Sequence, residues 1–237
     1  MSAISIVIPI LNEKKNLEKL CSLIIKNLNF KNYEIIFVDD SSTDGSEKIL
    51  RKLSKKYKKI KYIIRKSKVK DLSKSCIEGF KKSIYQNILV MDGDLQHDPK
   101  DINKIIKAYV INKADIAVGS RDLFNKKNEG LDFFRLIMSK ILIIIVSLFL
   151  GKKTNDPMSG FFLFKKKIFL KSSKNLNKLG YKILLDLIYS SNFKIKVVDV
   201  GINFKTRKLG NSKMSLKILI FLIYVIFVKF FSKKAIS

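Results

Sequence analysis

Asp92 and Asp94 flank Gly93 in the segment Val90-Met91-Asp92-Gly93-Asp94-Leu95-Gln96-His97-Asp98-Pro99, directly after a short apolar run at 88–91. The run reads as a buried strand that delivers two carboxylates to its end, and the glycine lets the backbone turn so that both can face one point. Two close carboxylates repel unless a cation sits between them, and hard divalent ions take oxygen ligands of this kind. Mg²⁺ or Mn²⁺ held in this way keeps positions open for phosphate oxygens. The pattern therefore points to a metal–diphosphate site, with Gln96 as a neutral third oxygen ligand; the plainer alternative is a solvated turn rich in Asp. His97, the single histidine, reads as a supporting or packing residue rather than a base. Arg207 and Lys213, in a loop that also contains Gly210 and Ser212, offer a second cationic clamp on a leaving diphosphate.

Those carboxylates need a frame. Apolar strand-like runs at 3–10, 33–38, 61–65, 87–91 and 115–118 alternate with helical periods at 13–28, 42–57, 72–83 and 99–111. Strand, helix, strand at this spacing predicts an α/β fold with a mostly parallel sheet flanked by helices. Ligands in such sheets sit beyond the carboxyl ends of the strands. Asn12 and Glu13, Asp39 and Asp40, Asp92 and Asp94, and Gly119-Ser120-Arg121 all fall at those ends. After Arg121 the reading continues with a loop at 124–130, an apolar helix at 131–150, the turn Asn155-Asp156-Pro157-Met158-Ser159-Gly160 and a strand at 161–164. A helix at 182–189, strands at 194–200 and 202–204, and a strongly apolar helix at 216–231 follow.

Composition narrows the classes. The 237 residues allow one substantial core, and 48 Lys+Arg against 20 Asp+Glu give a formal charge of +28, which attracts polyanions. Nucleic acid is not expected, because no binding module or aromatic–basic interleaving accompanies the charge. Cys21 and Cys76 lack metal or redox spacing, and no secretory leader opens the chain. There is neither a GxGxxG after the first strand nor a GxxxxGK[ST] loop, so dinucleotide and P-loop folds have no support. The 216–231 helix is short for a span, and its flanking lysines suit an interfacial helix or a short tilted span. The helix near 131–150 offers a second apolar surface. Transfer to a hydroxyl would need a base, for which Asp186 or Asp156 is available. Transfer to a phosphate needs only cations, and Arg121 and Arg135 suit that role.

Read together, Ile6 to Glu13 with Asn16-Leu17, Val38 to Gly45, Met91 to Pro99, Gly119-Ser120-Arg121, Asp156 to Phe162, Gly180-Tyr181-Lys182 and Arg207 to Lys213 resemble the family 2 glycosyltransferases of the GT-A fold. Within that group the chain is similar to the dolichol-phosphate or polyprenol-phosphate mannosyltransferases. The resemblance implies a GT-A domain at 1–213 and an interfacial or short transmembrane helix at 214–237, on the cytoplasmic face of a membrane. It implies that Pro9, Leu11, Glu13, Val38, Asp40, Asp92 and Gly93 line the donor nucleotide, and that Asp92, Asp94 and Gln96 hold Mg²⁺ or Mn²⁺. Asp92, Asp94, Arg207 and Lys213 are the implied catalytic set. Arg121, Arg135 and Ser139 are the implied contacts to the acceptor phosphate. The implied reaction is a single inverting displacement that moves a hexose, mannose from GDP-mannose first, to dolichyl or polyprenyl phosphate in a bilayer. A UDP-sugar donor carrying glucose or an amino sugar, with a polyprenyl phosphate or glycan hydroxyl acceptor, is the alternative; a non-catalytic membrane scaffold is the alternative of another class. Two positions depart from the family pattern: Leu11 stands where Tyr is usual, and Asp71-Leu72 where Gly-Leu is usual.

Overall fold

The computed structural model describes residues 1, 3–121, 123, 133–177, 182–206, 223–224 and 226–231, with side chains of the long helix described from 136 onward. In chain order the elements are β1 (Ala3–Ile10), α1 (Lys14–Asn27), β2 (Asn32–Asp39), α2 (Ser46–Lys56), β3 (Ile60–Ile64), α3 (Leu72–Lys82) and β4 (Asn87–Val90). Then come α4 (Asp101–Ile111), β5 (Ile116–Arg121), α5 (Phe133–Leu150), β6 (Phe162–Lys165), α6 (Lys166–Ser172), α7 (Ile183–Tyr189) and β7 (Val197–Ile202). The strands form one sheet in the order β3-β2-β1-β4-β6-β5-β7.

The centre follows from side-chain alternation. Ile4, Ile6, Ile8 and Ile10 of β1 enter one core layer with Leu17, Leu20 and Ile24 of α1. Val7 turns to the other, with Ile36, Val38 and Phe80. Both faces are covered, which is why these strands are apolar nearly throughout. β1 pairs in parallel with β2 and β4, setting Ile6 opposite Ile35 and Leu89.

The sheet is mixed: among the described residues four of its six strand pairings are parallel, and a single strand departs from that direction. β6 runs antiparallel to both β4 and β5. The chain leaves β5 at the carboxyl edge, forms α5, and re-enters from that same edge, so β6 must run backwards. Val90, the last residue of β4, therefore pairs with Phe162, the first of β6. The turn before β6 is thus beside the residues after β4. The strands expected at 194–200 and 202–204 are a single β7, with Phe204 bridging to His97. The seven-residue α6 is too short to announce itself by period.

The C-terminal apolar helix expected at the membrane is also corrected. Among the described residues no helix is long and apolar enough to cross a membrane. The described part of that stretch packs on the domain: Ile226 joins Leu142, Val146 and Leu150 of α5 and Leu185 of α7 in a third apolar cluster. Lys229, read from sequence as a flanking lysine, is buried, and its Nζ lies 2.6 Å from Oδ1 of Asp186.

One carboxylate staples three strands. Asp115 accepts from Lys165 Nζ at 2.7 Å and from the Lys196 amide at 3.1 Å, joining the ends of β5, β6 and β7. Partial burial disfavours its charge, but Lys165 and the amide outweigh that and hold the carboxyl below the usual range. A carboxyl depressed in the folded state contributes stability above its unfolded pKa and loses it as pH falls through the folded value. Unfolding measured at a series of pH values below about 5 should therefore show a smaller acid loss in Asp115→Asn than in the unaltered chain. Parallel curves for the two would remove the staple.

Candidate active site

β4 ends by delivering Met91 into the core and Asp92 to the sheet edge. Gly93 lies against β1: a Cβ there would meet Ile10 Cγ2 at 2.7 Å, so only glycine fits without displacement. Leu95 has φ 64°, a left-handed conformation uncommon for such a residue, and with the bond from the Gln96 amide to Asp94 Oδ1 at 3.1 Å it makes a tight turn. Asp92 and Asp94 thus come off one turn at the carboxyl edge, as the spacing predicts.

Asp92 is held from behind. His97 is buried between the rings of Phe161 and Phe204, at 5.1 and 5.0 Å between centroids, with its Nε2 3.4 Å from Asp92 Oδ2. Its Nδ1 is buried without a hydrogen-bond partner among the described residues, so no group sets this ring as a proton shuttle. His97 is thus buried against Asp92, a placement that suits a supporting or packing residue. Burial raises the cost of charge on Asp92, but the hydrogen bond and charge of His97, with Lys182 and Arg121, keep the carboxyl below its ordinary range. The side chain stays 34% exposed, so the carboxylate opens outward.

The turn before β6 presses on the same carboxylate. A Cβ on Gly160 would lie 2.3 Å from Asp92 Oδ2 and 2.6 Å from its Cγ. In the same turn Asp156, fully buried, takes a two-pronged ion pair from Arg121, with Nε at 2.6 Å and Nη2 at 2.8 Å. Arg121 also stacks over Phe204 at 5.3 Å. Burial opposes the charge of Asp156, yet Arg121 holds its carboxyl below the usual range. Asp156 is consequently a poor base. Asp186 is no better placed, since it accepts from Lys229 and from Ser190 Oγ.

At the expected nucleotide end the loops after β1 and β2 are latched. The Asn12 amide donates to Ser42 Oγ at 2.7 Å, Asn12 Oδ1 accepts from the Thr43 amide at 2.8 Å, and Asp44 Oδ2 accepts from the Lys14 amide at 2.8 Å. Glu13 is buried and bonds to Asn16 Nδ2 at 2.7 Å. Pro9 and Val38 are paired neighbours with both side chains buried; Leu11 is half-buried at the rim. Asp40 is engaged at both oxygens, by Arg65 Nη1 and by the Asp71 amide. Burial pushes its carboxyl up against the pull of Arg65. The departure at Asp71 has a local cause as well: its Oδ1 caps α3 by accepting from the Lys74 amide at 3.0 Å.

Gln96 is buried, with its amide nitrogen donating to the Lys205 carbonyl at 3.0 Å, so it ties the site turn to the strand end after β7. Ser139 is buried in α5. Arg135 lies on the same helix with its side chain outside the described residues, and Arg207 and Lys213 lie outside them altogether. Beside Arg121 a cleft of about 570 Å³ opens, lined by Leu123, Ile144 and Leu148 and by the polar Lys152, Asn155 and Asp199. Lys152, Gly160, Arg65 and Lys182 had no assigned part in the sequence reading. Only Gly160 and Lys182 carried a signal, as members of the matched segments.

The donor set suits a hard divalent ion. Asp92 and Asp94 supply oxygen only, and no group of three or more His, Cys, Asp or Glu gathers among the described residues. Two carboxylates leave coordination positions for phosphate or water, as Mg²⁺ and Mn²⁺ prefer.

Residues 5–172 match the pattern of Glycosyl transferase family 2. The dolichol-phosphate mannosyltransferase of Pyrococcus furiosus is 40% identical over 213 residues, which is 89% of this chain and 59% of that protein. The chain therefore spans about three fifths of that relative's length. The dolichol-phosphate mannosyltransferase of Saccharomyces cerevisiae is 28% identical over 91% of this chain and 82% of its own length. Among solved structures, glucosyl-3-phosphoglycerate synthase from Mycobacterium tuberculosis in complex with Mn²⁺ and UDP-glucose superposes with a TM-score of 0.71. It covers 98% of this chain and 78% of its own, at 14% identity. At that identity the likeness speaks for the fold.

Proposed function

The chain belongs to Glycosyl transferase family 2, and from that premise we propose that it moves a hexose from a nucleotide diphosphate sugar to a polyprenyl phosphate. The observation that carries the acceptor class is the cleft that meets the site at Arg121, with apolar walls at Ile144 and Leu148 and a cation at Lys152. Apolar walls with Arg121 and Lys152 among the lining suit an isoprenoid chain with an anionic head, and Asp199, the acid that also lines the cleft, is taken up by Thr154 Oγ1 and the backbone N–H of Asn155. The exposed Ile141, Ile144 and Leu148 extend that apolar face along α5, where an acceptor residing in a bilayer would approach.

Asp92 and Asp94 hold the divalent ion, which when bound neutralises charge on the departing diphosphate. His97 and Gly160 fix Asp92 from two sides, so the carboxylate is oriented before ligand arrives. Arg121, its guanidinium held in one orientation by Asp156, lines the cleft. A phosphate acceptor is already anionic, so its attack on the sugar carbon needs no base. This agrees with the engagement of both Asp156 and Asp186 elsewhere. Displacement opposite the leaving diphosphate inverts the carbon in one step. Arg207 and Lys213 are proposed to clamp the diphosphate. On the donor, glucose from UDP-glucose is the reading favoured by the solved neighbours, which hold that donor with Mn²⁺ on this fold. The curated relatives' names favour mannose.

The test is transfer from radiolabelled UDP-glucose and GDP-mannose to a short-chain polyprenyl phosphate in detergent with Mn²⁺ or Mg²⁺. Lipid-linked product from one donor is expected. It should vanish with EDTA and fall by about 10²-fold or more in Asp94→Asn. Product that forms only on a glycan hydroxyl, with polyprenyl phosphate inert, would overturn the acceptor assignment.

A further inference from the structure

Lys182, the residue before α7, carries a charge for which the reaction above provides no role. Its Nζ donates to the carbonyl of Met158 at 2.9 Å. Met158 belongs to the turn between α5 and β6, two residues before Gly160, and the Gly160 backbone bears on the Asp92 carboxylate. The charge of Lys182 also acts on Asp92 and Asp156, favouring their ionised forms. One turn further along α7, Asp186 is fixed by Lys229 Nζ at 2.6 Å, Ser190 Oγ at 3.0 Å and the Asn177 amide at 3.2 Å. The helix is thus anchored to its surroundings at Asp186, and through Lys182 it holds the turn that shapes the site.

Building on the metal assignment above, we propose that Lys182 is a positioning residue: by tying the 156–160 turn to α7 it keeps Gly160 against Asp92 and presets that carboxylate for a divalent ion. Two effects of this lysine on metal binding have opposite signs. As a positive charge near Asp92 it repels an incoming cation, so charge alone would make its removal tighten binding. As a tie it orders a ligand, so its removal loosens binding. Groups that orient metal ligands typically change metal affinity by about 10–100-fold when lost.

The experiment is Mn²⁺ binding to the full chain without nucleotide, by calorimetry or by the loss of free Mn²⁺ signal in electron paramagnetic resonance. Lys182→Met is expected to weaken Mn²⁺ binding by about 10-fold, with its unfolding midpoint close to that of the unaltered chain. Lys182→Arg, which restores a charged donor, is expected to regain most of the affinity. Lys182→Leu, which likewise removes both the charge and the donor, provides the same comparison if the methionine variant does not fold. Tighter or unchanged Mn²⁺ binding in the charge-removed variant would overturn the positioning role and leave Lys182 as a bystander charge. Failure of the unaltered chain to bind Mn²⁺ would instead overturn the metal assignment itself, and this inference with it.

Discussion

Gly160→Ala is expected to fold and yet to lose metal-dependent turnover by about 100-fold or more. The added Cβ would sit 2.3 Å from Asp92 Oδ2 and 2.6 Å from Oδ1 and Cγ, far inside van der Waals contact. The carboxylate cannot swing aside at no cost, because His97 is behind it and Phe161 and Phe204 fix His97. A shift of about 1 Å in a group that orients the reacting centre costs about 10² in rate. The fold should tolerate the methyl, since the atoms it meets belong to a side chain end rather than to the sheet. Turnover in the standard assay and the unfolding midpoint, measured on the same preparation, check both halves. Full activity in the alanine variant would mean that Asp92 is not held where the reaction needs it.

The second large effect concerns stability. Asp156→Ala should destabilise the protein by about 3–5 kcal/mol, because it strands the buried Arg121 guanidinium without its partner. Removing the pair together is a different experiment. A buried ion pair replaced by apolar residues of similar volume is often neutral or stabilising, so Arg121→Met with Asp156→Leu should regain much of the lost stability. It should not regain transfer, since the arginine lining the cleft is gone. Denaturant unfolding of the single and double variants separates the two. If the single variant is as stable as the unaltered chain, the pair is not the buried anchor of the turn. If the double variant transfers normally, Arg121 has no part in acceptor binding.

These two residues mark the division between what the chain discloses in one dimension and what it does not. Asp92, Gly93 and Asp94 are legible because their chemistry is local: residue types and spacing within three positions suffice to bring two oxygens to one ion. The strands and helices up to β5 are legible for a related reason, since period 2 and period 3.6 report burial by immediate neighbours. The role of Arg121 is different. From sequence it is an arginine after a strand, suited to a phosphate. Its bidentate bond to a residue 35 positions away depends on α5 and the turn bringing Asp156 back. Asp40 likewise reads as a residue open to a nucleoside, and Arg65 with the Asp71 amide occupies it. The direction of β6 was not legible either, because an apolar run of four residues has the same pattern in both directions.

The apolar stretch near the C-terminus is the sharpest case. Its hydropathy and flanking lysines fit lipid as well as protein, for both solvents accept the same side chains. Lys229 decides the described part: it faces Asp186 inside the domain, and only the packing of α5, α7 and residues 226–231 puts those charges together. The sequence by itself determined the α/β class, the carboxyl-edge location of the site and the oxygen donors that suit a divalent ion, because each depends on contacts between near neighbours along the chain. The tertiary structure alone decided the mixed sheet, the partners of Arg121 and Asp40, and the pressing of Gly160 against Asp92, because each depends on where the chain returns.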